Sequence, residues 1–186
     1  MEKSIDSFVA YLKEAFQLED KDLRTYSPLT LAYIGDAIFD LVIRTILVKR
    51  GNCQPNKLQQ RASRLVRASA QAEMIQDLMP FLTEEEIAVY KRGRNAKSYT
   101  KAKNATVSDY RKATGLEALM GYLYLEEDTK RIIELIHTGL EMEEGRRTGQ
   151  SAASSVREKE KKGAADPEEE EKTAQMGDSG LQEDVL

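Results

Sequence analysis

The sequence is short of several residue types on which common catalytic centres depend. Its 186 residues include one cysteine, one histidine, four prolines and no tryptophan. A single cysteine excludes a disulfide framework, a zinc cluster of thiolates and a CxxC redox site, and a single histidine argues against a Ser-His-Asp or Cys-His centre. No apolar run approaches the roughly 18 residues of a transmembrane helix, and the N-terminal segment MEKSIDSFVAYLKEAF lacks a signal-peptide pattern. We therefore expect a soluble, cytoplasmic protein that does not associate with membranes.

Charge is distributed unevenly along the chain. Residues 1–140 contain 21 Lys and Arg against 19 Asp and Glu, whereas residues 141–186 contain 7 against 13. The second segment holds almost no large apolar side chains, so it cannot bury enough surface to offset the entropy of ordering, about 1–2 kcal/mol per residue for the backbone. We predict a folded domain over residues 1–145 and a disordered, charged tail over residues 146–186. The acidic run at residues 168–171 is then a solvated tail; the alternative is a mimic of nucleic-acid charge that competes for a basic surface.

The folded part has the apolar periodicity of an all-α domain, without the alternation typical of strands. Ser27-Pro28 is a favourable helix start, and Thr83 followed by Glu86 matches a capping box. The segment 91–105 is basic and polar, which predicts a loop. The predicted helices cover residues 4–17, 28–48, 57–78, 83–90, 107–125 and 129–144.

Two of these helices carry an acid where the pattern calls for an apolar residue. Asp36 follows Gly35 in the second predicted helix, and Glu117 is the only charge in residues 115–125, one turn before Gly121. An ionised carboxylate in apolar surroundings is costly unless it is paired or bound to a metal. Because Mg²⁺ keeps several waters and needs only one or two protein acids, we predict that Asp36 and Glu117 together form a magnesium site.

Each acid also has a structural alternative. A half-buried acid in a helix often pairs with an arginine or caps a neighbouring helix, and glycines simply permit close packing of helices. We interpret Asp40, one turn after Asp36, as exposed or paired with Arg44. The lone His137 and Cys53 are interpreted as ordinary structural residues.

Basic residues form a second group of candidates. No acid occurs between Arg44 and Arg67, and the arginines at 61, 64 and 67 share a helix face because they are spaced by three. A basic helix face with a basic loop is the expected footprint of nucleic-acid binding, and the lack of interleaved aromatic residues favours a duplex over a single strand. The alternative is a solvated face held by salt bridges. The predicted nucleic-acid-binding residues are Arg61, Arg64, Arg67, Arg92, Arg94, Asn95, Lys97, Lys101 and Lys103.

Two motifs resemble those of the ribonuclease III family. Residues 31–37, LAYIGDA, resemble the first signature, roughly LEFLGDA, and residues 117–125, EALMGYLYL, resemble the second, roughly DxxEAxxGAxYL. Between them, RGRNAKS at residues 92–98 and YRKAT at residues 110–114 are similar to Mini-ribonuclease III, the small bacterial branch that lacks a double-stranded-RNA-binding domain. The resemblance covers about residues 20–140.

The resemblance implies an all-α, ribonuclease III-like domain that forms a homodimer and cleaves double-stranded RNA with Mg²⁺. It implies that Asp36 and Glu117 are the catalytic residues and the metal ligands, and that the substrate is precursor 23S ribosomal RNA, whose ends are trimmed. Two positions depart from the family pattern: Ala32 stands in place of a Glu in the first motif, and Thr114 in place of an Asp in the second. These departures predict two protein carboxylates per site, weaker metal binding and more water ligands.

Two other functions stay open at this point. The missing acids favour a catalytically silent ribonuclease III-like domain that binds structured RNA in a larger particle, although the retention of both remaining acids disfavours it. In a helical protein-interaction module, both acids would be structural. For the implied dimer, Phe39, Val42 and Ile43 are candidates either for an apolar contact between subunits or for the core.

Overall fold

The computed structural model of the chain describes residues 6–97 and 106–163, and the side chains of residues 8–97 and 106–148. Within these ranges the secondary structure is helical and contains no strand, which confirms the predicted all-α class. Short 3₁₀ turns at Leu23–Thr25 and Met79–Phe81 join some of the helices. The α-helices are α1 (Asp6–Phe16), α2 (Pro28–Arg50), α3 (Pro55–Val66), α4 (Ala68–Leu78), α5 (Glu84–Asn95), α6 (Val107–Leu125) and α7 (Thr129–Gly163).

Side-chain caps set the first residues of several helices. The Ser27 hydroxyl accepts a hydrogen bond from the Leu29 N–H at the start of α2. Thr83 and Glu86 form the reciprocal capping box expected for α5, each side chain accepting the other residue's backbone N–H. At the start of α6 the Thr106 hydroxyl accepts a hydrogen bond from the Asp109 N–H, a cap that the sequence analysis did not predict. The sequence signals at Ser27 and Thr83 are confirmed.

Three predicted helix boundaries are wrong. The predicted helix 57–78 is two helices, because the backbone of Arg67 is extended between α3 and α4. Helix α5 continues through residues 91–95, where the sequence predicts a loop, so that much of the basic segment is helical. Helix α7 continues to Gly163, well past the predicted end at residue 144.

Helix α7 thus extends into the segment for which the sequence predicts a charged tail. Residues 146–163 contain many Ala, Arg, Lys, Glu and Gln residues, which are good helix formers. Residues 164–186, including the acidic run at 168–171, lie outside the described residues. By internal contacts the chain divides into two units, Met1–Glu144 and Gly145–Leu186. None of the described helices has the length and apolar character needed to cross a bilayer.

Helix α6 is the centre of the fold, and it packs against α2, α4 and α5. Phe39 and Ile43 on α2 are fully buried in the core that this packing creates, and Val42 is partly buried against the same core. These three residues therefore belong to the core, and the alternative of a subunit contact is wrong for Phe39 and Ile43. The largest buried side chains of α4 and α6 include Ile75, Leu78, Leu116, Leu119 and Met120.

Two glycines set the distance between α2 and α6. A Cβ at Gly35 would overlap the carbonyl oxygen of Glu117 and would lie 2.6 Å from the backbone nitrogen of Gly121. A Cβ at Gly121 would likewise overlap the carbonyl oxygen of Leu31, with the carbonyl carbon 2.8 Å away. Backbone atoms cannot rotate away as a flexible side chain can. The two helices therefore cross in direct backbone contact, and only glycine fits at this crossing.

We expect Gly121→Ala to lower the free energy of unfolding by more than about 3 kcal/mol, because the added methyl group collides with the backbone of α2. Gly145→Ala in α7 is the matched control. A Cβ there meets no neighbouring heavy atom within 4 Å, so it should leave stability unchanged or raise it by at most about 1 kcal/mol. Urea unfolding of both variants measures the difference, and equal stabilities would contradict the backbone contact between α2 and α6.

Candidate active site

The two predicted acids line one cleft beside the crossing of α2 and α6. Asp36 reaches it from α2 and Glu117 from α6, and the cleft has a volume of about 500 Å³. Its other lining residues within the described ranges are apolar, aromatic or hydroxyl-bearing, and none of these is a lysine or arginine. They are Leu29, Ala32, Tyr33, Ile34, Ala37, Tyr110 and Thr114.

The two acids differ in exposure. Glu117 is partly buried, whereas Asp36 is exposed to solvent at the cleft, so the expectation that both are buried is wrong for Asp36. The apolar residues around Asp36 in the sequence do not enclose it, because several of them point outwards from α2. Tyr33 is 83% exposed and Leu41 is 54% exposed.

Desolvation and the charge of a neighbouring carboxylate raise the pKa of both carboxyl groups. Desolvation by burial, followed by the charge of Asp36, raises the pKa of Glu117 to about 7. Desolvation, followed by the charge of Asp40, raises the pKa of Asp36 above its usual range. The surface of Asp36 is exposed, yet its carboxyl group is partly desolvated, because the cleft walls displace part of its hydration. Among the described residues, neither acid has a positive partner that would hold it ionised.

Asp40 behaves as the sequence analysis expects. Its Oδ2 accepts a hydrogen bond of 2.6 Å from Arg44 Nε, one turn along α2. The structural alternative proposed for the acids thus applies to Asp40. For Asp36 and Glu117 no arginine pair is found among the described residues.

Gln71 is a member of this site that the sequence analysis missed. It lies on α4, its residue surface is only 1% exposed, and neither amide atom has a hydrogen-bond partner in the described part of the chain. The amide lies beside the Glu117 carboxyl and partly offsets the rise in the pKa of that group, although the two do not meet hydrogen-bond geometry. In the sequence, Gln71 is a polar residue at a core position of α4. The sequence analysis did not single it out, because the apolar pattern joins α3 and α4 into one predicted helix.

The residues present fit a hydrated divalent cation. Two carboxylates without a basic partner face one cleft, and a buried amide with free hydrogen-bonding capacity stands beside one of them. No group of three or more His, Cys, Asp or Glu side chains comes together in the described ranges. Ala32 is buried, and the Thr114 hydroxyl donates to the Tyr110 carbonyl oxygen at 3.0 Å. Asp36 and Glu117 are thus the acids available, and Mg²⁺ is the cation that best accepts so few.

The predicted basic residues on α3 are exposed. Arg61 and Arg64 lie on α3, and Arg67 occupies the extended break before α4. All three side chains are open to solvent, although the break means that Arg67 does not continue the face of α3. Their role in binding nucleic acid stays a prediction.

The remaining basic candidates cluster at the end of α5. Arg94 stacks over the Tyr90 ring at 5.8 Å from its centre and donates to Asn95, and Lys97 is exposed. Arg92 donates to the carbonyl oxygens of Tyr26, at 2.8 Å, and Arg24; it therefore anchors the segment before α2, a role that sequence reasoning missed. Lys101 and Lys103 lie outside the described residues.

The end of α5 lies next to the part of α6 that lines the cleft. A Cβ at Gly93 would lie 3.0 Å from both Gly115 Cα and the Thr114 carbonyl oxygen. Thr114 also lines the cleft. The basic end of α5 is thus held close to the acids, because glycines at 93 and 115 let the two helices approach.

A helical domain with two acids on crossing helices and a basic helix end close by is an arrangement that suits a nuclease. The Ribonuclease III domain family matches residues 29–128, which include both acids, and the chain belongs to this family, in its Mini-ribonuclease III branch. It is 50% identical over 119 residues to Mini-ribonuclease 3 of Enterococcus faecalis, covering 63% of this chain and 90% of that relative.

Two further comparisons agree with this placement. The chain is 46% identical over 127 residues to Mini-ribonuclease 3 of Clostridium tetani, covering 68% of this chain and 83% of the relative. The crystal structure of a Fusobacterium nucleatum protein matches with a TM-score of 0.60 and 33% identity, over 67% of this chain and 99% of that one. The family resemblance carried by the two motifs is therefore confirmed.

The raised pKa of Glu117 makes a prediction for stability. A carboxyl group with a pKa of about 7 in the folded chain, against an ordinary value of 4.5, binds more protons when folded. Its contribution to stability is therefore present below pH 4.5 and is lost as the pH rises to about 7, by at most about 3 kcal/mol. In EDTA, Glu117→Gln should lose less stability than the wild type between pH 4.5 and 8.

Thermal and urea unfolding across this pH range test that expectation. Glu84→Gln, at an exposed position at the start of α5, is the control and should follow the wild-type profile. If Glu117→Gln also followed the wild-type profile, Glu117 would not carry the raised pKa.

Proposed function

We propose that this protein is a Mg²⁺-dependent endoribonuclease that cleaves double-stranded RNA and acts in the cytoplasm on precursor 23S ribosomal RNA, trimming its ends. The observation that carries the proposal is that Asp36 and Glu117, from two different helices, line one cleft and have no basic partner in the part of the chain that the structure describes. Membership of the ribonuclease III family and the similarity to proteins named Mini-ribonuclease 3 support the reaction class. The particular ribosomal substrate rests on the motif resemblance alone.

Hydrolysis of a phosphodiester needs a positioned water and stabilisation of the charge that develops on the leaving 3′ oxygen. A divalent cation held by Asp36 and Glu117 would lower the pKa of a bound water and offset that charge. The carboxylates supply the negative charge that holds the cation, and the apolar walls around them keep the local dielectric low, which strengthens their pull. No histidine base is needed, which agrees with the exposed position of the lone His137 on α7.

The basic side chains supply the substrate contacts. A-form duplexes are recognised largely through phosphates and 2′-hydroxyls rather than base edges, so exposed arginines and an asparagine suit the task. Arg94 and Asn95 lie just beyond the Gly93 contact with α6. The position of this end of α5 beside the cleft supports a duplex that reaches the acids while its backbone is held by α5.

An apolar stripe along α2 supports the homodimer. Leu29, Tyr33, Leu41 and Val48 are 36%, 83%, 54% and 56% exposed, although they lie in a helix whose other faces are buried. Large exposed apolar patches typically mark protein interfaces. Tyr33 and Leu29 also line the cleft, so a second copy of the chain on this stripe would lie against the site and extend the surface available to a duplex.

A silent RNA-binding domain is the second candidate. The observation that favours it is the loss of two family acids, at the buried Ala32 and at Thr114, whose hydroxyl is already engaged with Tyr110. Binding of duplex RNA without any cleavage in Mg²⁺ would establish it. Cleavage in Mg²⁺ that stops in EDTA would exclude it.

Asp36→Asn should lower the rate of cleavage at least about a hundredfold, because the amide keeps the shape but lacks the charge that holds the cation. RNA affinity should stay within about twofold of the wild type. Asp40→Asn makes the same change one turn along α2, at an acid that pairs with Arg44, and should keep most of the activity. The measurements are single-turnover cleavage of a long RNA duplex and a gel shift of the same duplex; a wild-type rate in Asp36→Asn would refute the catalytic assignment.

Removing two exposed arginines of α3 should weaken RNA binding and its dependence on salt. For Arg61→Ala with Arg64→Ala, the slope of log affinity against log salt should become shallower by about 1 for every phosphate that the variant no longer neutralises. Arg24→Ala is the control, since Arg24 is engaged with Asp22 before α2. Binding is measured with Asp36→Asn as background, so that the duplex is not cut. An unchanged slope would place the duplex elsewhere.

A further inference from the structure

Gln71 has a full set of hydrogen-bonding atoms and no partner for them. Its surface is 1% exposed, and its amide nitrogen and oxygen are both buried and unpaired in the described part of the chain. Leaving a buried amide unpaired is costly, whereas an apolar side chain of similar volume would incur no such cost. Its neighbours in the core of α4, Ala72, Ile75 and Leu78, are apolar. The amide oxygen therefore lacks a donor partner among the described residues, and the amide nitrogen lies beside Glu117 without reaching hydrogen-bond geometry.

The position of Gln71 indicates which partner this is. Helix α4 packs against α6, and the Gln71 amide lies beside the Glu117 carboxyl, where it favours the ionised form. The charged group that faces Glu117 from α2 is Asp36, and α4 contributes the neutral amide. An anion is excluded as the missing partner, since two carboxylates would repel it.

A hydrated divalent cation satisfies both ends of the amide. The carboxylate that holds the cation can only accept hydrogen bonds, and the waters on the cation donate them. The Gln71 side-chain amide has two N–H donors and a carbonyl acceptor, so it can donate to the carboxylate and accept from a water on the cation. Partners that bond to a metal ligand in this manner fix its orientation and raise the affinity for the metal.

We propose that Gln71 is a positioning residue of the metal site: its amide N–H donates to the Glu117 carboxylate, and its carbonyl oxygen accepts a hydrogen bond from a water molecule of the cation. This inference rests on the proposed function, because it requires that Asp36 and Glu117 hold a divalent ion. It also explains why a polar side chain, that of Gln71, is buried where α4 packs against α6. With no carboxylate at Ala32 or Thr114, more waters remain on the cation, and each one needs an acceptor.

The test compares Gln71→Met with the wild type, using Mn²⁺ as the probe. Methionine keeps an unbranched side chain of similar volume but removes both amide atoms. The quantity measured is the rise in Tm between EDTA and Mn²⁺ at fixed pH, since this difference cancels any change in packing. Gln76→Met is the matched control: Gln76 is exposed on the same helix, where its Oε1 accepts a hydrogen bond from Lys112. Gln71→Leu is the second variant should Gln71→Met fold poorly.

We expect the Mn²⁺-induced rise in Tm to shrink in Gln71→Met and the dissociation constant for Mn²⁺ to increase about 10- to 100-fold, while Gln76→Met matches the wild type. The Mg²⁺ concentration for half-maximal cleavage should increase in parallel, and KM for the duplex should stay within about twofold. In EDTA, Gln71→Met should be at least as stable as the wild type, because two unpaired polar atoms are gone.

A wild-type Mn²⁺ affinity in Gln71→Met would overturn the inference. Mn²⁺ binding by the variant Glu117→Gln shows whether such a result contradicts only the role of Gln71 or also the metal site of the proposed function. If Mn²⁺ stabilises the wild type and Gln71→Met equally but not Glu117→Gln, the metal site stands and only the role of Gln71 is wrong. If Mn²⁺ stabilises none of these proteins, the metal site itself is wrong, and the inference is overturned with it.

Discussion

The backbone contact between α2 and α6 is the constraint on which the site depends. Gly35 and Gly121 let the two helices cross with no side chain between them, and each glycine faces a carbonyl oxygen of the opposite helix. Asp36 follows Gly35 directly, and Glu117 supplies the carbonyl oxygen that Gly35 faces. The same crossing therefore creates the tightest contact in the core and delivers both carboxylates to one cleft.

Placing two acids at this crossing lowers the stability of the metal-free protein. Neither acid has a basic partner among the described residues, and burial together with repulsion between carboxylates raises the pKa of both. A bound cation would relieve the repulsion and favour the ionised forms. The unpaired amide of Gln71 adds to the same imbalance. Buried polar groups without partners are usually rare, so an unpaired amide beside one of two unpaired acids indicates a site organised to receive a positive charge.

Helix α2 packs one apolar face into the core and exposes apolar side chains on another face. One face carries Phe39 and Ile43 into the core, while Tyr33 and Leu41 remain exposed. This explains why residues 31–43 are apolar on nearly every side, although a single chain buries only part of them. It also explains why Asp36, set among apolar neighbours in the sequence, lies in an exposed position. An apolar sequence around an acid thus does not establish burial when one of the apolar faces is available to another molecule.

The sequence by itself determined the helical class, the caps at Ser27 and Thr83, and the two acids that interrupt the apolar pattern, because each depends on local periodicity or on residues a few positions apart. The break at Arg67 escapes sequence reasoning, since neither proline nor glycine marks it. The contact between α2 and α6, the exposure of Asp36 and the isolation of Gln71 were decided by the tertiary structure. Each of these depends on which atoms of distant segments come together, and no local pattern records that.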